Sequence, residues 1–522
     1  MTDREISMIM NDMKPDDNYS KTLRVGEVPF EDVESKGVYQ ADGANPQQLQ
    51  RYIRFVAAVN FSCTILCSWE ALAVTFQFAL FNGGPASMVY GCILVGFGAT
   101  AVGASLAELA SIDPTVGAQY RWSANLAPFA PKFWGLIQGW VTVFAWIMAC
   151  AGPPAIIANM MTALASFCHP DYEVKNWHTM LIMWGLICVP FFFNLYFRQL
   201  LNAFEIFGGL FHFLFFLVWI IVLVTLARRS TTDYVFKTLT TGVSGWNNPG
   251  VCWGLGLLTV TFPLSGADAV LHMSDEVKNV QVRAPHSILI AVISNAVMLF
   301  AFVICLLFTI GDVQTVSAAP LPIIEVFYGA THSKAGTVIL VTMPALILFV
   351  ALFNAFASVS RLVWAFAKDN GLPFSKTFAY VHPKLMLPLN ALGLIGVISF
   401  LLSIVYVISS TAFNAIISLQ TMALSVSYCL PICFVMIRKI QGRPPVYGSY
   451  RIGKLGVLVN LFALLYLIYV ILWMPFPTVL PVTAGNFNYA GPILGAVLVG
   501  AVLDYVISGR NRFHVPVAPK RM

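Results

Sequence analysis

The chain has 522 residues, 58% hydrophobic and only 10% charged, with a formal net charge of +6. A soluble globular protein carries about 25% charged residues, so the composition excludes a water-soluble fold. The longest polar loops leave no room for a catalytic or nucleotide-binding domain. No GxxxxGK[ST] loop, paired CxxC or HExxH arrangement occurs, which argues against an ATP-driven pump, a zinc site or any bound cofactor.

Residues 1–53 are polar, carry both signs of charge and lack the apolar core of a signal peptide. They read as a disordered tail in which Lys14, Lys21 and Lys36 are either modifiable or simply solvated. From residue 54 onward apolar runs of about 20 residues recur, the length that spans a bilayer as a helix. Lipid offers the backbone no hydrogen-bond partners, so such runs are helices; barrel strands would show short alternating segments. Twelve spans are expected, at 54–80, 86–108, 132–163, 177–196, 203–226, 251–271, 286–310, 337–366, 387–409, 411–437, 455–475 and 489–508. The third and eighth are long enough to tilt. The ten cysteines stand singly or at helical spacing, as in Cys63/Cys67 and Cys429/Cys433, and read as small buried hydrophobes.

Lys and Arg orient the bundle. Twenty of them fall beside span one, in alternate loops and in the C-terminal tail, among them Arg51, Arg54, Arg198, Lys278, Lys368, Arg438, Lys520 and Arg521. Only five, Lys175, Arg228, Arg229, Lys237 and Lys334, lie in the opposite loops. Both termini are therefore expected in the cytoplasm.

An ionisable group at mid-membrane costs roughly 2.5–3.5 kcal/mol on insertion scales and asks for a reason. Glu70, within Ser68-Trp69-Glu70-Ala71 of span one, would balance a substrate ammonium or carry a proton, with the Trp69 π face beside it; a structural hydrogen bond is the alternative. Asp268 follows Phe262-Pro263-Leu264-Ser265-Gly266-Ala267 in span six, where Pro263 and Gly266 suggest a broken helix. It either caps the second half-helix or meets the substrate. Glu205 and His212, seven apart in span five, share a face and form either a proton relay or an interhelical pair. Glu108 ends span two, where an interfacial salt bridge is expected. Corresponding interruptions in spans one and six point to a transporter site between inverted repeats.

Four stretches carry a resemblance to a known family. They are Ser68–Ala73 running to Asn82-Gly83-Gly84-Pro85, Ala107–Ser111 with Gly117–Trp122, Gly266–Ala269 with His272–Asn279, and Ser360–Pro373. Together they resemble the amino acid–polyamine–organocation permeases, most of all the fungal amino-acid/choline/GABA branch. The resemblance implies an all-α polytopic membrane protein with the five-plus-five inverted-repeat, leucine-transporter-like fold. Its repeats would occupy 54–226 and 251–437, with peripheral helices at 455–508 and a C-terminal tail at 509–522. It implies substrate at the breaks of spans one and six, lined also by spans three, eight and ten, with the N-terminus of a half-helix holding a carboxylate. Ser68, Trp69, Glu70, Phe262, Ser265, Gly266, Ala267 and Asp268 would then contact it, with Trp140 and Trp146 as aromatic candidates from span three. Glu108 and Arg361 would form a cytoplasmic gate, and Glu70, Glu205 and His212 would carry the coupling proton. Two departures stand out. Span one reads Cys67-Ser68-Trp69-Glu70 in place of a glycine-rich break, and span five begins Leu201-Asn202-Ala203-Phe204-Glu205 without the lysine some relatives place there.

The expected function is a proton-coupled permease importing a small amine-bearing solute, at the plasma or vacuolar membrane, with no nucleic-acid partner. A non-transporting nutrient sensor, an exporter and a polytopic membrane enzyme are the alternatives. The isolated His169, His178 and His286 make no catalytic constellation for the last.

Overall fold

The computed structural model describes residues 51–197, 200–408, 410–484 and 486–515, with backbone alone at 408 and 410–415. Residues 1–50 of the expected tail, Arg198, Lys520 and Arg521 lie outside the described residues.

Twelve helices among the described residues are long and apolar enough to cross a membrane. They are α1 (Phe55–Thr75), α2 (Gly84–Ile112), α3 (Pro131–Cys168), α4 (Asn176–Tyr196), α5 (Leu201–Leu226), α6 (Pro249–Met273), α7 (Val280–Phe308), α8 (Lys334–Lys368), α9 (Leu389–Val407), α10 (Ile416–Ile440), α11 (Gly453–Trp473) and α12 (Ala490–Arg512). The protein is an all-helical, multi-pass membrane protein. Helix α7 starts six residues before its expected position and runs through Pro285. The proline withholds the amide that Gln281 would bond, and the Ser449 hydroxyl donates to that carbonyl instead, at 2.5 Å.

Helices α1, α3 and α6 have 72%, 89% and 83% of their apolar stretches buried, against 22% for α5 and 17% for α12, so the first three form the interior. Two interior helices are interrupted. In α1, Phe55–Leu66 and Ser68–Thr75 meet at Cys67, which adopts φ 44 and ψ 49. A left-handed non-glycine residue costs roughly 1–2 kcal/mol. In α6, Pro249–Thr261 passes into a short 3-10 turn at Phe262–Leu264, then extended backbone at Ser265, then a second 3-10 turn at Ala269–Met273. Gly266 at φ 107 allows this path.

Residues 52–53 and 510–513, assigned to the two tails from the sequence, take part in the fold. Tyr52 and Ile53 donate to the Glu276 carbonyl at 2.9 and 3.0 Å, and Lys278 donates back to Ile53. Beyond residue 509 the helix continues through Arg510–Arg512, and Phe513 is fully buried.

Candidate functional site

The interruptions of α1 and α6 enclose a cavity of about 50 Å³. Ile65, Leu66, Cys67 and Ala71 face it from α1, and Phe262 and Ser265 from α6. Helix α3 contributes Trp146, Ala149, Pro153 and Ile156, α8 contributes Leu348, Ala351 and Ala355, and α10 contributes Gln420. Ligand pockets usually measure about 300–1,000 Å³, so this space is too small for a typical ligand. Phe262 also lines a vestibule of about 150 Å³ beyond it, bounded by Thr75, Phe78, Asn82 and Asn488. The Phe262 ring therefore stands between the two spaces.

No ionisable acid or base other than the Cys67 thiol lines the cavity. Its polarity comes from backbone and rings. Pro153 has no amide to offer the Ala149 carbonyl four residues earlier, and both residues face the cavity. Carbonyl dipoles and the π faces of Trp146 and Phe262 suit a cation.

Beside Trp146 lies a carboxylate that the cavity does not touch. Asp268 Oδ2 accepts from Trp146 Nε1 at 3.1 Å, pairs with His272 Nε2 at 3.2 Å, and accepts from Gln119. Its Oδ1 accepts from the Tyr428 hydroxyl. His272 Nδ1 lies 2.8 Å from the Val116 carbonyl, so each ring nitrogen faces an acceptor. This buried network joins α3, α6, α10 and the loop after α2. It fixes the Trp146 ring from behind, while Gly266 leaves room in front: a Cβ there would sit 3.3 Å from the indole.

The structure sends Glu70 elsewhere. Cys67 and Ala71, four apart, share the cavity face. Glu70 is rotated by about 100° from Ala71 and its Oε1 meets His212 Nδ1 of α5 at 2.6 Å. Trp69 packs against Trp219, Phe216 and Phe302 at 5.0, 6.1 and 6.3 Å between ring centroids. Ser68 donates to Asn295 of α7 at 2.6 Å. None of these three lines the cavity. Glu205 does not reach His212: its Oε2 accepts from Asn354 Nδ2 at 3.1 Å and lies 3.4 Å from the Thr64 hydroxyl. Glu70 Oε2, Glu205 Oε1 and His212 Nε2 are buried without a hydrogen-bond partner.

Two other expectations are corrected by geometry. Trp140 points away from the cavity and donates to Asp504 of α12 at 3.0 Å. Ala267 faces a separate space of about 20 Å³ behind the α6 break. Glu108 forms the expected salt bridge, with Lys439, which also reaches Asn460 of α11 at 2.8 Å. Arg361 donates to Glu276 at 2.9 Å, beside the strap formed by Tyr52 and Ile53. Gln420, Pro153, Asn354 and Tyr428 carry no expected role from the sequence, and His272 and Gln119 enter there only as members of motifs. A glutamine and a double proline within apolar spans were the available signals.

The amino acid permease family model matches residues 53–499. The chain belongs to the amino acid permease family. It is similar to a choline transporter of Saccharomyces cerevisiae, 29% identical over 96% of this chain and 90% of that one. An amino-acid permease of Arabidopsis thaliana is 26% identical over 90% of this chain and 94% of its own. A 7-keto 8-aminopelargonic acid transporter of S. cerevisiae is 24% identical over 86% and 91% respectively. The matches take in both broken helices of this permease-family chain, so the cavity lies within the shared region.

Proposed function

We propose that the protein is a secondary permease that carries a small amine-bearing solute through the cavity between α1 and α6, driven by a proton gradient. The observation that carries this reading is a small space at two helix interruptions, lined by Trp146, Phe262, Ala149 and Pro153. Its aromatic and dipolar walls match an ammonium group. Relatives named for choline, amino acids and an amino-keto acid all handle molecules with such a group.

In this reading the cation is neutralised by dipoles and rings, not by Glu70. The coupling proton is carried on the Glu70–His212 pair or on Glu205, which flank the α1 interruption on the side away from the cavity. The lysine- and arginine-rich end is cytoplasmic, and Phe262 separates substrate from the outer vestibule. Five-plus-five repeat symmetry accounts for the paired interruptions.

The test is uptake in cells lacking their own amine and amino-acid permeases. Labelled GABA, choline and a panel of amino acids are supplied at pH 5 and pH 7.5. Accumulation of one class, greater at acid pH and lost with a protonophore, is the expected result. No uptake with the protein present at the surface would overturn the reading.

A further inference from the structure

Four cavity-lining side chains have polar hydrogens to give, and three are already committed. The Cys67 thiol faces the Thr64 carbonyl at 2.6 Å, the Ser265 hydroxyl faces that of Thr261 at 3.2 Å, and Trp146 Nε1 is held by Asp268. The fourth is Gln420. It is 9% exposed, lines the cavity, and among the described residues its amide has no hydrogen-bond partner. Its Oε1 lies toward α3, where a Cβ on Gly152 would come within 3.7 Å.

Its amide atoms are open to the cavity and bond nothing in the described protein, so their partner is whatever the cavity holds. The other walls supply acceptors and π faces, which serve a cation. They offer no uncommitted side-chain donor for an oxygen. We infer that Gln420 is a specificity-determining residue: its amide hydrogen-bonds an oxygen function of the substrate, so the preferred solutes are small monovalent amines bearing a hydroxyl, carboxylate or carbonyl. This rests on the proposed function and adds a chemical requirement to it.

The experiment pairs substrates with residue variants. Inhibition of labelled uptake is compared for choline against propyltrimethylammonium, which has a methyl in place of the hydroxyl, and for GABA against propylamine. Native protein favours the oxygen-bearing member roughly threefold to tenfold, the worth of one net hydrogen bond. In Gln420→Met, of similar volume, the preference falls to about one. Gln420→Glu removes the amide donor and adds a negative charge; propylamine then gains and zwitterionic GABA loses, reversing the order of that pair, which is the one read in this variant. The Glu variant decides the matter where the Met variant fails to reach the membrane. An unchanged preference in either variant, with uptake intact, overturns the role of Gln420 and leaves the permease reading standing. Failure of the native protein to take up any of these amines overturns both.

Discussion

Glu70 Oε1 and His212 Nδ1 lie 2.6 Å apart, with both side chains fully buried and neither facing the cavity. The pair joins the second half of α1 to α5. A proton gained or lost there changes the charge on the hinge of a broken helix without touching substrate. In the proposed reading, coupling and recognition fall on different faces of the same half-helix.

Glu70→Gln should therefore uncouple more than it unbinds. The amide keeps a hydrogen bond to His212 but holds no exchangeable charge. Accumulation against a gradient should fall by more than about tenfold, while counterflow exchange persists and the half-saturation concentration moves by less than about twofold. Loss of exchange together with a large rise in half-saturation would place Glu70 in contact with substrate.

Asp268 and Glu108 should fail differently. Asp268 receives Gln119, Trp146, His272 and Tyr428. An asparagine turns an NH₂ toward at least one of these donors, and each bond left unmade costs about 1–3 kcal/mol. Asp268→Asn should lower uptake per surface molecule at least about tenfold, by freeing the Trp146 ring. Glu108→Gln leaves the buried Lys439 charge with neutral acceptors only, the new amide carbonyl and Asn460, a loss of about 1–3 kcal/mol. It should lower thermal stability and surface level while uptake per molecule stays near native. The opposite assignment, a normal Asp268→Asn and an inactive Glu108→Gln, would move the working core of the site to the Glu108 end of the bundle.

Cys67 occupies a left-handed conformation that glycine adopts without strain. Cys67→Gly should keep uptake and stability within about 1 kcal/mol of native, relief of strain offsetting the freer unfolded chain. Cys67→Val puts a β-branched residue at the same φ and should lose both. Uptake per surface molecule and thermal unfolding of the purified protein measure this. Equal behaviour of the two variants would mean that the α1 break does not depend on this residue.

The spans and the α6 interruption were legible because they depend on local composition: apolar run length, and Pro263 with Gly266. The α1 interruption is placed at Cys67–Glu70 by its correspondence to span six and by family resemblance, and the structure breaks the helix at Cys67, although no glycine or proline marks it locally. That interruption restarts the helical phase at Ser68, which is why Glu70 could not be assigned to a face. Some errors were avoidable. Trp140 and Trp146 are six apart, about 240° around a helix, and could not both face one site. Glu205 and His212 do share a face, but seven residues rise about 10 Å, so they reach different neighbours. The partners of Asp268 were beyond reach for another reason. Gln119, Trp146 and Tyr428 lie more than a hundred residues away in sequence, and no local pattern encodes such pairings.

The C-terminal segment should respond to pH. Phe513 is buried against Tyr120 and Phe366, with ring centroids 6.4 and 6.1 Å apart. Arg512 donates to the Asn370 and Gly371 carbonyls at 2.8 and 2.9 Å, and the His514 amide to the Asp369 carbonyl at 3.1 Å. The Asp369 side chain accepts from Tyr120 at 2.7 Å, next in sequence to the Gln119 that holds Asp268. Burial pushes the Asp369 carboxyl above the usual carboxylate range, with Tyr120, Arg121 and Lys368 pulling it partly back. An acid whose folded value is raised binds more protons folded than unfolded, so the docked segment loses stability as pH rises from the ordinary aspartate range through the raised one. Protease cleavage near Arg512 should be slower at pH 5 than at pH 7.5. Asp369→Asn should remove most of that difference. Phe513→Ala, at about 3–5 kcal/mol for a buried ring, should speed cleavage at both values. Cleavage at one rate across pH in the native protein would show that Asp369 does not control the docking, and a Phe513→Ala rate equal to native would show that the ring does not anchor it.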